Sequence, residues 1–249
     1  MRPKQMIFPK RDQVLLIHVS LAANGASSYR DATNMHRKCT ALWPACRTLA
    51  ITEGVVDRTS HLVRADTAGT VTAEISAAVA MYSATHDILF AISAHGYSGG
   101  GHQFVTCHGT QITDDDLSKA LFTHMHPSCT NVCLVDTCHS GTLLGLPRTS
   151  LDGTHFQGRR VPIICSAVSV VISACRDTEL SAEDVSTYGG WGGGITCQFL
   201  DRATPQINVM ELYNALREAY AKVDASQHPQ LSVSLEYDRI FHCAANPGA

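Results

Sequence analysis

Apolar residues run almost without a break from Val14 to Val19 (VLLIHV), the pattern of a strand covered on both faces, as in a parallel sheet. After the loop LAANGASSY, Ala32, Met35, Cys39 and Leu42 recur at spacings of three and four, which predicts an amphipathic helix that Pro44 ends or kinks. A weak strand candidate lies around His61 to Val63. Val71, Ile75, Ala78, Val79 and Tyr82 share one face of a second helix, and Asp87 leads into ILFAIS, the clearest strand, which ends at His95-Gly96. Beyond a Gly-rich loop, Thr113 and Asp116 have the spacing of a capping pattern and start the helix DDDLSKALFTHM. NVCLV, from Asn131 to Val135, is the next buried strand and ends in DTCHSG. Thr142 to Arg160 has little periodicity and reads as an exposed connection; apolar residues return from Val161 to Ala174. GGWGGG (189–194) then opens a helical stretch, ITCQFLDRA. Val209, Leu212, Leu216, Ala219, Tyr220 and Val223 mark a further helix, capped at Asn208 with Glu211 three residues on. Strands alternating with helices imply parallel crossovers and an α/β three-layer sandwich.

Composition narrows what such a chain does. Its 249 residues, 45% hydrophobic and 16% charged, suit a compact chain of one large domain or two small ones. Nineteen Lys+Arg against twenty-two Asp+Glu give a net charge of -3, with no basic stripe of the kind that nucleic acid or an anionic membrane requires. The longest apolar stretch, Val161 to Cys175, is too short and too interrupted to span a bilayer, and MRPKQMIFPKRDQ carries no apolar core of a secretory signal. Ten Cys and thirteen His are the unusual counts. Several Cys lie inside apolar runs, as in VCLVDTC, and read as buried reduced thiols, so the expectation is a soluble, cytoplasmic protein in a reducing compartment.

In open α/β sheets the working site lies beyond the carboxyl ends of the strands. Two predicted strands end in reactive residues, one at His95-Gly96 and one at Asp136-Thr137-Cys138-His139-Ser140-Gly141. If the two strands are neighbours, His95 and Cys138 meet at one edge. A thiol of pKa ~8.5 is mostly protonated at neutral pH, and a nearby imidazole accepts its proton and stabilises the thiolate. The thiolate then attacks a carbonyl, the imidazolium protonates the leaving amine, and the backbone amides of Gly96 and Cys138 are the candidate oxyanion donors.

The segments SAHGYSGG and VDTCHSGT resemble the two catalytic motifs of the metacaspases, caspase-related cysteine peptidases. SYRDATNM, ITDDDL, ISACRDTELSAE and QHPQLSVS are similar to further segments of that family, in the family's order, so the resemblance runs from about Val14 to Ser234. It implies a single caspase-like peptidase domain with a mostly parallel central sheet flanked by helices: a large-subunit-like part (1–147), the exposed connection (148–160) and a small-subunit-like part (161–249). It also implies cysteine endopeptidase activity on polypeptide substrates; a chain with no separate interaction domain in view is expected to be a bare catalytic module and a monomer. The alternative from another class is a catalytically silent caspase-like interaction scaffold.

Asp136 precedes Cys138 by two and so shares its face of an extended strand; Ser93 has the same relation to His95. The resemblance places both positions in the primary specificity pocket, with Asp31 as a further acid; Ser28 stands where family members often carry Cys. Two carboxylates need a cation, and Arg satisfies them by bidentate bonds, with Lys the second choice. The plain alternative for Asp31 is a helix-start residue favoured by the macrodipole. Many metacaspases need calcium, and Asp114 and Asp115 match part of that site. The acidic stretch after the catalytic His is absent, however, and Gly145 stands where an acid is expected, so no cofactor requirement is predicted. The family often cleaves itself in its connection, where Arg148, Arg159 and Arg160 suit the pocket. His124, His126, Cys129 and Cys133 have a spacing that mimics a zinc site, but Cys133 lies within a strand pattern, so no metal site is expected there. GGWGGG lacks the context of a dinucleotide fingerprint and reads as a flexible lead into a helix, with Trp191 either walling a subsite or packing.

Overall fold

A computed structural model describes residues 5–21, 26–53, 62–153, 155–158, 164–181, 183–186, 190–223 and 227–241. In chain order the elements are β1 (Ile7–Phe8), β2 (Val14–Leu21), α1 (Ala26–Leu42), β3 (Arg47–Thr52), β4 (Leu62–Arg64), α2 (Ala68–Tyr82), β5 (Asp87–Ala94), β6 (Gly96–Gly99), β7 (His102–Cys107), β8 (Thr110–Thr113), α3 (Asp114–Phe122) and β9 (Thr130–Asp136). There follow β10 (Arg148–Ser150), β11 (Gln157–Gly158), β12 (Val168–Ser173), β13 (Glu183–Ser186), β14 (Gly190–Gly193), α4 (Gly194–Arg202), β15 (Ile207–Asn208), α5 (Val209–Val223), β16 (Gln230–Val233) and α6 (Leu235–Phe241).

Nine strands form one sheet in the order β11-β10-β16-β12-β9-β5-β2-β3-β4. The run from β12 to β4 is parallel throughout, whereas β16, β10 and β11 join antiparallel at one edge, so the sheet is mixed there. Every residue of β2 and β9 is buried, which is why both read as unbroken apolar runs. Alternation along each strand sorts side chains into two cores. Ile17, Val19, Ile88, Phe90 and Val135 pack with Val71 and Ile75 of α2 and Leu117 and Leu121 of α3. Leu16, Leu89, Ala91, Val132 and Leu134 pack with Met35 of α1, Phe199 of α4, Leu212 and Tyr213 of α5 and Tyr237 of α6. Burying each of the Val, Leu, Ile, Phe and Met side chains among these is worth ~1.5–3 kcal/mol.

The helix starts are locally encoded. Thr113 and Asp116 close the predicted capping box, Thr67 caps α2, and Asn208 Oδ1 accepts from the amides of Met210 and Glu211 at 3.2 and 3.3 Å. Three expectations change. Arg47–Thr52 is a parallel strand that the pattern did not reveal, because its first three residues are polar or only half-buried. The Gly-rich loop after His95 is a three-stranded antiparallel sheet, β6-β7-β8, whose first turn uses Gly100 and Gly101 at φ 62° and 85°. The segment taken as an exposed connection is inside the fold at its start: residues 141–150 are buried or half-buried, and Arg148–Ser150 pairs with Val233, Ser232 and Leu231 of β16.

Candidate active site

β5 and β9 are neighbours, and their register pairs Ser93 with Asp136. Each strand continues past that pair, to His95-Gly96 on one side and Thr137-Cys138 on the other. The two ends touch: a Cβ on Gly96 would overlap the carbonyl oxygen of Cys138 and come within 2.9 Å of Thr137 Oγ1, so only glycine lets these backbones approach. His95 is exposed and Cys138 half-buried. The residue after the thiol, His139, has a left-handed backbone at φ 53° and turns the chain sharply. It is held there by its amide, which donates to Glu179 O at 3.0 Å, and by Nδ1, 2.7 Å from the carbonyl of Asp177; a carbonyl only accepts, so Nδ1 carries the proton. The loop thereby anchored returns Ser181 to the site. Its amide donates to Cys138 Sγ at 3.3 Å, and its hydroxyl donates to Asp136 Oδ1 at 3.2 Å.

The strand alternation turns Ser93 and Asp136 toward α1 and α4. Asp136 is 6% exposed and Asp31, near the start of α1, is 2% exposed. Asp136 Oδ2 accepts the amide of Thr196 at 2.9 Å, and Asp31 Oδ2 accepts the amide of Gly193 at 3.1 Å. Adjacent glycines of β14 bring the acids together: a Cβ on Gly192 would overlap Asp31 Oδ1 and one on Gly193 the carboxylate of Asp136. Burial pushes Asp136 up to about 6, opposed by its hydrogen bonds from Thr196 and Ser181. Ser93 Oγ is buried with no hydrogen-bond partner among the described residues, a free polar group on the same face.

Asp31, Ser93, Asp136, Gly96 and Cys138 therefore cluster at one sheet edge, with His95 on the same strand end. Ser28 lies in the first turn of α1, but its side chain is outside the described residues, as is that of Trp191. Arg159 and Arg160 also fall outside them. GGWGGG is not a flexible lead: Gly190–Gly193 is a strand paired with β13, and its lack of side chains gives the two acids room. His126 bonds Ser128 through Nδ1, while the thiols of Cys129 and Cys133 lie against His86 O and Asn131. Sequence reasoning missed Ser181, Thr196 and the glycine pair, because each acts through backbone or from a loop with no apolar pattern to place it.

At the start of α3, Asp116 is taken by the capping box, and Asp114 Oδ1 lies 2.9 Å from His102 Nδ1 and accepts the amide of Asp115 at 3.0 Å. Among the described residues the converging donors there are His102, Asp114 and Asp115. One imidazole and two carboxylates supply fewer oxygens than the six to eight that Ca²⁺ takes.

A family model described as the caspase domain matches residues 56–239. Metacaspase-2 of Trypanosoma brucei brucei is 29% identical over 150 residues, covering 52% of this chain and 43% of that protein. Metacaspase-5 of Trypanosoma cruzi is 31% identical over 143 residues, covering 51% and 32%. The match thus spans less than half the length of either relative. Among solved structures, a protein of Geobacter sulfurreducens superposes with a TM-score of 0.58 at 14% identity, covering 89% of this chain and 93% of that one. The Drosophila initiator caspase Dronc gives 0.55 at 12%, covering 89% and 79%. At such identities the likeness is one of fold. No helix among the described residues is long and apolar enough to cross a membrane.

Proposed function

The chain belongs to the caspase domain family, and on that premise we propose that it is a cysteine endopeptidase that cleaves polypeptides after Arg or, second, Lys. The observation that carries this reading is the single sheet edge where Gly96 packs against Cys138 while Asp136, the register partner of Ser93, lies with Asp31 against the β14 glycines. His95 takes the Cys138 proton, and Sγ attacks the carbonyl carbon of the bond to be cut. The amides of Gly96 and Cys138 hold the developing oxyanion. The imidazolium protonates the departing amine, and water, deprotonated by the same imidazole, releases the acyl group from sulfur. The Ser181 amide, donating to Sγ, holds the sulfur in place.

Substrate selection rests on charge. Asp31 and Asp136 supply two negative charges on one face, and a guanidinium matches carboxylates with paired bonds that an ammonium cannot reproduce. Ser93 Oγ, unpartnered in the described structure, is a further acceptor for it. The poor donor set at the start of α3 supports an activity with weak or no calcium dependence. Self-cleavage, if the chain performs it, falls at Arg159 or Arg160 rather than Arg148, which is committed to β10.

Wild type and Cys138→Ala, offered Arg- and Asp-terminated fluorogenic peptides with added calcium and with EGTA, test the reading. Wild type should cleave the Arg peptide in both media and Cys138→Ala should not; on standing, wild type alone should yield fragments. No cleavage of either peptide under any condition would favour the interaction scaffold, and activity abolished by EGTA would refute calcium independence.

A further inference from the structure

A second cluster of reactive side chains lies away from the Cys138 edge, where the end of β3 meets the β7-β8 hairpin; β2 separates β3 from β5 in the sheet. Glu53, Cys107 and His108 each present a ligand atom within 4.8 Å of the other two. Cys107 is fully buried and the Glu53 side chain is 5% exposed, whereas His108 is open to solvent. His108 Nε2 lies 2.9 Å from the carbonyl of Ala65, and a carbonyl only accepts, so Nε2 carries a proton and Nδ1 is left facing Glu53 Oε1 at 3.4 Å. An imidazole anchored on a carbonyl through one nitrogen, with the other turned toward a carboxylate and a thiol, is the arrangement of a metal-ligating histidine.

The hairpin turn holds His108 in place. His108 and Gly109 form the two-residue loop between Cys107 and Thr110, which pair across the hairpin, and both have positive φ, at 48° and 76°. That loop favours Asn-Gly or Asp-Gly, and histidine is among the few non-glycine residues that enter the left-handed region readily. Its amide also donates to Glu53 Oε1 at 2.5 Å, which fixes the carboxylate beside the ring.

We propose that Glu53, Cys107 and His108 bind a borderline-soft divalent transition metal of the Zn²⁺ class, with one coordination position left to solvent. The mixed sulfur, nitrogen and oxygen set suits Zn²⁺ and does not suit Mg²⁺ or Ca²⁺. Binding forms the Sγ–metal bond and releases the Cys107 proton to solvent. The metal ties the end of β3 to the small sheet that begins at Gly96.

Co²⁺ and Zn²⁺ are the probes, used on the full chain carrying Cys138→Ala so that the reactive thiol does not contribute. Co²⁺ should bind at one equivalent with a thiolate-to-metal charge-transfer band, displaced by Zn²⁺. Adding His108→Asn, which suits the left-handed turn and so preserves the fold, should abolish the band and weaken binding by at least the ~10–100-fold that even an outer partner of a metal site is worth. Cys107→Ser should remove the band as well. No band in the Cys138→Ala chain, as expected if a proton alone joins Glu53 and His108, or a band that survives His108→Asn, would overturn the proposal.

Discussion

Asp136 combines three properties in one carboxyl group: deep burial, hydrogen bonds from Thr196 and Ser181, and a pKa pushed up to about 6. A carboxyl raised in this way adds stability below its unfolded pKa and loses that contribution as pH rises through about 6, because over the interval between the two values the unfolded chain releases the proton first. The proposed Arg recognition has the opposite requirement, since a guanidinium binds the ionised form. KM for an Arg peptide should therefore rise up to tenfold per unit as pH falls below about 6. Asp136→Asn presents an oxygen to the Thr196 amide and an amide to the Ser181 hydroxyl, so its melting temperature at pH 8 should equal or exceed that of wild type. Its cleavage after Arg should be lost, and any residual turnover should lose the pH dependence of KM. Retained Arg turnover in this variant would contradict the pocket assignment. The positions of His95, Asp136 and Cys138 at or just past the ends of β5 and β9 were legible in the sequence, because apolar strands announce where they end. Ser181 was not, because it reaches the thiol through a backbone amide from 43 residues away.

At the scale of elements, the β13-β14 hairpin closes over the acid pair, and its glycines are there for lack of a Cβ. Gly193→Ala should force the methyl group into the Asp136 carboxylate, costing ~1–3 kcal/mol of stability and most of the turnover of Arg peptides. Gly69→Ala is the control: in α2 its Cβ would meet Thr67 Oγ1 at an ordinary 3.7 Å, and replacing a helical glycine should add ~0.5–1 kcal/mol. Urea melts of both, with Arg-peptide kinetics, check the contrast. The glycine run was visible in the sequence, but its meaning was not, because two acids from α1 and β9 had to be brought to it by tertiary folding. Strands β2, β5 and β9 and helices α2, α3 and α5 were legible from periodicity and caps. β3 and β10 were not: both are short, partly polar and stabilised by a neighbour strand rather than by an apolar run of their own.

For the whole molecule, a net charge of -3 conceals two acids concentrated at one sheet edge. The α/β layering was readable because the parallel strands are covered on both faces; the antiparallel edge formed by β16, β10 and β11 was not, since a segment that joins a sheet only at its rim leaves little pattern. The nine described cysteines are free, which gives a direct way to ask which one is the nucleophile. The full chain is incubated with an Arg-terminated peptidyl acyloxymethyl ketone, whose methylene carbon forms a thioether with an attacking thiolate as the carboxylate departs, and the adduct is located by mass spectrometry. One adduct on Cys138, nearly absent in His95→Ala and not formed by the Asp-terminated probe, is the expected result; labelling at another cysteine, or equal labelling by the Asp probe, would contradict it.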